Sequence, residues 1–278
     1  MKSRLIIIVL LLSIIQGCAI LNKAKVDPYR SMTEVELYEE GSVFLANLDI
    51  SSALSVFEIL EARYPFSKYA QQSILDLAFA YYDFGQKDDA IAECDRFIDL
   101  YPNHPRTDYA YYLRALSNLE KDQPFFQEIL GQDVSKYDLT RLRSAYDDFL
   151  FITNKFKGSK YADDANNRLV FLRDKMAAHE TYVASYYLKR GAYVASSDRA
   201  KYMLENYPGA PASEEALLIL IKSYNKLKMT DLASDTARVL IKNYTNYSFE
   251  IDNNNEVIIN DANRGPAEKE SFFDFGLF

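Results

Sequence analysis

Two histidines, two cysteines and several neighbouring carboxylates are the side chains of this 278-residue chain that suit acid–base, metal or thiol chemistry. His104 lies beside a proline in a predicted loop, whereas His179 follows two alanines in a predicted helix. Neighbouring carboxylates such as Asp163 and Asp164 point to different sides of a helix and suit its N-terminus. The sequence contains none of the motifs H-E-x-x-H, G-x-S-x-G, C-x-x-C or a glycine-rich phosphate loop, which zinc, acyl-transfer, redox and nucleotide sites use. We therefore predict that the protein is not an enzyme and has no catalytic residue, metal site or other cofactor.

The N-terminus has the composition of a secretory signal peptide. Two basic residues precede residues 5–15, which are almost all apolar and too few to cross a membrane as a helix. The apolar run ends in Ile-Gln-Gly-Cys at residues 15–18, and this tetrapeptide resembles the lipobox of bacterial lipoproteins. The resemblance implies cleavage after residue 17, with a diacylglycerol and an N-acyl chain on Cys18. The alternative is a cysteine that merely closes an ordinary signal peptide.

A lipidated Cys18 would anchor the protein, because two or more acyl chains bind a membrane stably where a single chain does not. Ala19 rather than aspartate follows it, and by the sorting rule of these lipoproteins this implies the outer membrane, with the chain facing the periplasm. No later apolar run approaches the roughly 18 residues of a membrane-spanning helix. Contact with the membrane is therefore expected through the lipid anchor only.

The chain is acidic, with a formal net charge of −8, 49% hydrophobic residues and 26% charged residues. This composition supports a hydrophobic core, but it disfavours nucleic acid and anionic lipid head groups as partners, since both require clustered Lys and Arg. Once Cys18 is acylated, Cys94 has no partner for an intrachain disulfide. We expect Cys94 to be a buried, unreactive thiol.

A segment of the chain recurs at an offset of 37 residues, as ALSVFEILEARYP at 53–65 and AIAECDRFIDLYP at 90–102. Both copies begin with alanine, have core residues at the same two positions and end in Tyr-Pro. Twelve residues before each alanine lies another small residue, Gly41 or Ala78, on a preceding apolar-periodic segment. Small side chains at matching places on two helices allow their axes to approach closely.

This arrangement resembles the tetratricopeptide repeat, a helical hairpin with small residues where its helices cross and a proline after the second helix. The resemblance implies an all-α, right-handed solenoid of about five hairpins, whose stacking supplies the core. The predicted hairpins lie at residues 35–65, 73–102, 109–156, 161–208 and 211–244.

Four regions follow from these patterns. They are a signal peptide (1–17), a lipidated tether (18–31), the repeat solenoid (32–244) and a C-terminal tail (245–278). The tail is acidic, rich in asparagine and contains a Gly-Pro dipeptide, and it is therefore predicted to be disordered.

Apolar and aromatic side chains on the first helix of the N-terminal hairpins predict a peptide-binding groove. In the repeat register, these positions are turned away from the second helix of their own hairpin. They are occupied by Tyr38, Leu45, Leu75, Phe79, Tyr82 and Tyr112. Some are expected to pack on the next helix, and the rest suit a groove for an extended or aromatic-ended peptide.

Residues 15–244 together resemble the lipoproteins of the machinery that assembles β-barrel proteins in bacterial outer membranes, with the most specific likeness in the first two hairpins and in YYLKRGAYVASSDRAKYMLENYP at 186–208. The resemblance implies a scaffold whose N-terminal repeats bind the C-terminal signals of unfolded barrel proteins. Its C-terminal repeats, around Arg199, would bind the periplasmic domains of the barrel-forming insertase, alongside other lipoproteins of the complex. A further hypothesis is that the aromatic C-terminus, SFFDFGLF, occupies the groove until a client arrives.

Two other functions remain open at this point. One is a periplasmic tetratricopeptide lipoprotein that coordinates peptidoglycan synthesis with envelope constriction, and the other is a lipid-anchored hydrolase. Copurification with a membrane barrel protein, binding of peptidoglycan, and turnover abolished by substituting a histidine would distinguish the three.

Overall fold

In the computed structural model, residues 28–120 and 139–263 are described. Over these ranges the chain forms ten α-helices followed by two β-strands. The helices are α1 (Glu34–Ala46), α2 (Ile50–Arg63), α3 (Lys68–Asp83), α4 (Lys87–Leu100), α5 (Thr107–Glu120), α6 (Thr140–Lys155), α7 (Ala162–Lys189), α8 (Tyr193–Asn206), α9 (Ser213–Lys226) and α10 (Thr230–Asn243), and the strands are β1 (Tyr247–Ile251) and β2 (Val257–Asp261). The all-α fold class is confirmed, because the described residues are mostly helical and their one sheet has two strands.

Local sequence signals set where several helices begin and end. Thr33 precedes α1 in a capping box, in which its hydroxyl accepts a hydrogen bond from the Glu36 N–H and Glu36 Oε2 accepts one from the Thr33 N–H at 2.8 Å. Helices α2, α4 and α8 each end before a Tyr-Pro dipeptide, because proline has no N–H with which to continue the helix. No helix in the part of the chain that the structure describes is long and apolar enough to cross a membrane.

The chain divides within α3 into two compact units, residues 1–80 and 81–278. In the first unit α1 packs on α2. Gly41 of α1 approaches Phe57 of α2 so closely that a Cβ at Gly41 would lie 2.2 Å from Phe57 Cε1. Ala53, the first residue of the repeated segment, is fully buried. The small residues predicted for this crossing therefore allow the two helices to approach each other.

In the second unit each helix from α4 to α10 packs against the next helix along the chain, and α7 also contacts α9. This order of contacts is typical of tetratricopeptide-like repeats. Two hydrophobic clusters form the core of the unit, one around Phe149 and the other around Ile219. Cys94 of α4 is a fully buried free thiol, which confirms its predicted burial.

The two strands form an antiparallel hairpin that packs on α10, with Ile251 opposite Val257. The predicted disorder from residue 245 onward is therefore wrong for this hairpin. Asparagine and acidic residues lower the average hydrophobicity of the segment, but alternation along the strands places Tyr247 and Val257 together on the buried face. The last 15 residues of the tail, the signal peptide and most of the tether lie outside the described residues.

Candidate partner-binding sites

Tyr38, the first residue of the predicted groove, is held in place by the fold of the first unit. Its hydroxyl donates a hydrogen bond to Asp76 Oδ2 of α3 at 2.7 Å. Its ring stacks on Phe57 at a centroid distance of 6.0 Å and contacts Tyr69 at 5.2 Å. Asp76 also accepts a hydrogen bond from Gln72 at 2.6 Å. The half-buried ring therefore presents only part of its surface, and its hydroxyl already has an acceptor.

Tyr82 makes an equivalent contact in the second unit. Its hydroxyl donates to Glu120 Oε1 at the end of α5. Lys87 Nζ binds the other oxygen of this carboxylate at 2.7 Å and lies 3.5 Å from the centroid of the Tyr82 ring. The hydrogen bond to Glu120 and the cation–π contact with Lys87 therefore both hold the Tyr82 ring in one orientation.

Tyr112 of α5 makes the same kind of hydrogen bond with a carboxylate on α7. Its hydroxyl donates to Asp164 Oδ2 of α7 at 2.7 Å, and Arg168 Nε donates to the same oxygen at 2.5 Å. Its ring stacks on Tyr161 at 4.6 Å. Burial and the hydrogen bond to Asp164 raise the pKa of Tyr112 to about 12, and burial followed by the contact with Glu120 raises the pKa of Tyr82 as well. Both hydroxyls therefore stay protonated donors at neutral pH.

The three tyrosines share one arrangement, in which the tyrosine hydroxyl donates to a carboxylate two helices further along the chain. The helices joined in this way are α1 and α3, α3 and α5, and α5 and α7. The partners of Tyr38 and Tyr82 each lie 38 residues further along the chain. The sequence predicted the tyrosines as binding residues but missed their carboxylate partners. For Tyr38 and Tyr82, the signal that could have found the partner is an acidic residue 38 residues after the tyrosine.

The other predicted groove residues differ in exposure. Phe79 is 50% exposed, and Leu45 is partly buried. Leu75 is only 1% exposed, so its assignment to an open groove is wrong, because its side chain lies in the core. Phe66, which the sequence analysis did not single out, is 93% exposed in the turn between α2 and α3. The sequence signal that could have identified Phe66 is its position directly after the proline that follows α2.

Arg199, the predicted partner contact, takes part in an ion-pair cluster on α6, α7 and α8. Its Nη1 donates to Glu180 Oε2 at 2.9 Å, while Arg143 Nη2 donates to Glu180 Oε1 at 3.0 Å. The Glu180 side chain is 1% exposed, but those of Arg143 and Arg199 are 48% and 47% exposed. Two guanidinium groups around one carboxylate leave a net positive charge at the surface of an acidic protein. Glu180 and Arg143 were not predicted from the sequence, because they flank Arg199 only in the folded chain.

Cys18, the predicted lipidation site, lies outside the described residues. Residues 28–120 and 139–263 contain no group of three or more His, Cys, Asp or Glu side chains that could hold a metal ion.

The family model for YfiO, described as an outer membrane lipoprotein, matches residues 30–240. The chain belongs to the YfiO family of outer membrane lipoproteins. A Neisseria meningitidis relative is 44% identical over 214 residues, which cover 77% of this chain and 80% of that protein. A Xylella fastidiosa relative is 35% identical over 230 residues, covering 83% and 78% of the two chains.

A third relative of this YfiO-family chain, from Vibrio cholerae, is 29% identical over 240 residues, covering 86% of this chain and 98% of that protein. All three relatives are named outer membrane protein assembly factor BamD. The YfiO match includes the ten helices of the described residues except the end of α10, and it ends before the β-hairpin.

Proposed function

We propose that the protein is an outer-membrane-anchored scaffold in the assembly of β-barrel proteins. The proposal is carried by its similarity, over four fifths of the relative's length, to a Neisseria meningitidis protein named outer membrane protein assembly factor. The scaffold binds the periplasmic domains of the barrel insertase and the C-terminal signals of unfolded barrel proteins. Acyl chains on Cys18 hold it at the periplasmic side of the outer membrane.

Client binding is assigned to aromatic side chains on each of the two units taken by itself, Tyr38 and Phe79 on the first and Tyr82 and Tyr112 on the second. The hydroxyls of Tyr38, Tyr82 and Tyr112 are already hydrogen-bonded to carboxylates, so a client contacts their ring surfaces. Phe79 adds an apolar side chain that is half exposed. Strands of outer-membrane barrels alternate apolar and polar residues, and pairs of aromatic rings contribute about 0.5–1.5 kcal/mol beyond area burial. Several weak contacts of this kind suit a site that must accept many clients.

Insertase binding is assigned to Arg199 and its neighbour Arg143. Each arginine uses one nitrogen for Glu180, and about half of each side chain is exposed. A guanidinium presents five N–H donors, so further donors remain to bind a carboxylate of the partner. Glu180 fixes both guanidinium groups before the partner arrives, which reduces the entropy lost on binding.

The test is a pull-down from detergent-solubilised envelopes with the full-length chain as bait. We expect a membrane barrel protein to copurify with the wild type and to be reduced with Arg199→Gln. Lys201→Gln on the same helix is the control, because Lys201 is exposed and pairs only locally with Asp198. Recovery of peptidoglycan in place of a barrel protein would contradict the proposal and support the role in envelope constriction.

A further inference from the structure

The β-hairpin after α10 provides a site that the YfiO match, which ends at residue 240, does not include. We propose that the outer edge of β1 binds an extended segment of an unfolded client as a third strand of the sheet. The client class rests on the proposed function, whereas the strand-binding edge rests on the geometry of the hairpin alone.

The hydrogen-bond pattern shows which backbone groups point away from the hairpin. The Asp252 N–H donates to the Glu256 carbonyl at 2.9 Å, and the Ala262 N–H donates to the Asn246 carbonyl at 2.8 Å. In an antiparallel pair, residues that exchange hydrogen bonds alternate with residues whose N–H and C=O groups point outward. The alternation therefore directs the backbone groups of Phe249 away from the partner strand, together with those of Tyr247 and Ile251 on the same strand.

The outer edge of β2 is already occupied by a side chain. Asn225 Nδ2 donates to the Val257 carbonyl at 2.8 Å, and Asn225 Oδ1 accepts from the Val257 N–H at 3.0 Å. The amide thus pairs with this residue as a neighbouring strand would. Lys228 contacts Glu256 at 2.8 Å, which also attaches this side of the hairpin to the end of α9. A third strand cannot pair with Val257 without displacing Asn225.

The outer edge of β1 has no such cover among the residues that the structure describes. The outward backbone groups of Phe249 and Ile251 form no hydrogen bond to another described residue. The Ile251 side chain is 51% exposed, and Ser248 and Glu250 are exposed on the outer face. A row of outward N–H and C=O groups is satisfied by an extended backbone, which is how sheet edges recruit a further strand.

Charge selects the kind of strand that can pair there. Glu250 is exposed on the outer face of β1, and Asp252 follows the strand directly. A second copy of this chain would place the same acidic residues against each other. The chain's own residues 264–278 are also acidic, with three carboxylate side chains and two basic ones. Like charges on paired strands are unfavourable, whereas opposite charges are favourable. The edge therefore suits a client strand that alternates apolar residues with neutral or basic ones.

The experiment compares Phe249→Pro with Phe249→Ala in the full-length protein. Both substitutions remove the aromatic side chain, but only proline removes the outward N–H, and proline is tolerated on strand edges where the N–H faces solvent. The probe is a fluorescein-labelled ten-residue peptide of alternating valine and threonine with a lysine at each end. We expect the peptide to bind about twofold to tenfold more weakly to the proline variant than to the alanine variant, from the loss of one hydrogen bond.

Glu250→Lys tests the same edge without altering the backbone. We expect this variant to bind the lysine-ended peptide more weakly and a glutamate-ended version more tightly than the wild type does. Three results would overturn the proposal: equal affinity of the proline and alanine variants, no change in peptide preference with Glu250→Lys, or no binding of the peptide by the wild type.

Two further results would overturn it by assigning the edge to another occupant. If the protein forms a dimer that Phe249→Pro abolishes, the edge binds a second copy of the chain. If truncation after Asn263 increases the affinity for the peptide, the edge binds the chain's own tail.

The two proposals fail separately. If peptide binding depends on the Phe249 N–H but no barrel protein copurifies from envelopes, the proposed function is wrong and the edge is a general strand-binding site. If a barrel protein copurifies but the proline and alanine variants bind the peptide equally, the proposed function stands and the strand-binding edge is wrong.

Discussion

Tyr112 shows how a single hydroxyl can join two helices of adjacent repeats. It donates to Asp164, which is also held by Arg168, so the carboxylate keeps its charge while the phenol keeps its proton. Its folded-state pKa of about 12 lies above the ordinary value. The stabilisation from this hydrogen bond is therefore fully present below the ordinary tyrosine pKa of about 10 and is lost as the pH rises towards the folded-state value.

We predict that Tyr112→Phe lowers the free energy of unfolding at pH 7 by about 1 kcal/mol, a value reduced for partial exposure to solvent. Because the wild type loses this contribution in alkali, the difference between wild type and variant should shrink between pH 10 and the folded-state pKa of about 12. Urea unfolding at several pH values measures it. Tyr186→Phe is the control, since Tyr186 is 46% exposed and takes no part in the contact between Tyr112 and Asp164. A constant difference across this range would contradict the assignment of the hydroxyl to Asp164.

Glu180 contributes to stability through its contacts with Arg143 and Arg199 in the folded chain. We predict that Glu180→Gln destabilises the protein by roughly 1.5–3 kcal/mol, because two guanidinium groups lose a charged acceptor and then repel each other. Chemical denaturation measures the change, with Glu205→Gln on an exposed position of α8 as the control. If both variants unfold at the wild-type denaturant concentration, Glu180 does not hold the arginines.

At the scale of helices, the crossing of α1 and α2 depends on the absence of a side chain at Gly41. A methyl group there would overlap the Phe57 ring, with contacts of 2.2 to 2.8 Å. The ring is fully buried and also stacks on Tyr38, so it has little room to move. The two helices would have to separate, or the ring would have to leave its position beside Tyr38.

We predict that Gly41→Ala destabilises the first unit by about 1–3 kcal/mol, as overpacking of a helix contact commonly does. Thermal unfolding followed by circular dichroism measures it. Gly158→Ala is the matched control, because no atom lies within 4 Å of the added Cβ. Phe57→Leu combined with Gly41→Ala should cost less than the sum of the two single changes, since the smaller side chain removes the overlap. Additive effects would mean that the overlap is not the cause.

The β-hairpin depends on its contacts with the neighbouring helices. Its strands carry alternating apolar residues, but the connecting Asp-Asn-Asn-Asn and the flanking acidic residues make the segment as a whole look disordered. Two-stranded hairpins are marginal on their own, and this one is fixed by contacts with α9 and α10. Its stability is therefore a property of the final repeat rather than of the segment.

At the scale of the whole molecule, the proposed function attaches the protein to the membrane through acyl chains on Cys18. We predict that Cys18→Ala leaves the repeats folded but releases the protein from the membrane fraction, because the acyl chains supply the anchor. Metabolic labelling with palmitate and membrane fractionation measure the two effects. Cys94→Ala is the control, since Cys94 is the other cysteine of the chain and is fully buried. Palmitate retained by the Cys18→Ala variant would place the lipid elsewhere.

The sequence by itself determined the features that depend on local periodicity. Apolar spacing and small residues at matching positions predicted the paired helices, the crossing at Gly41 and the burial of Cys94, because neighbours on a helix are set by its regular geometry. The proline after each repeated segment predicted where α2 and α4 end. These features need only residues within one hairpin.

Tertiary structure alone decided some of the contacts across repeats. Tyr112 and Asp164 are 52 residues apart, which is not the spacing of the repeats, so this pair leaves no periodic signal in the sequence. Packing also buried Leu75, which the repeat register had placed in an open groove, and folded the β-hairpin onto α10. Contacts of this kind depend on how one hairpin is rotated against the next, and a local pattern carries no information on that rotation.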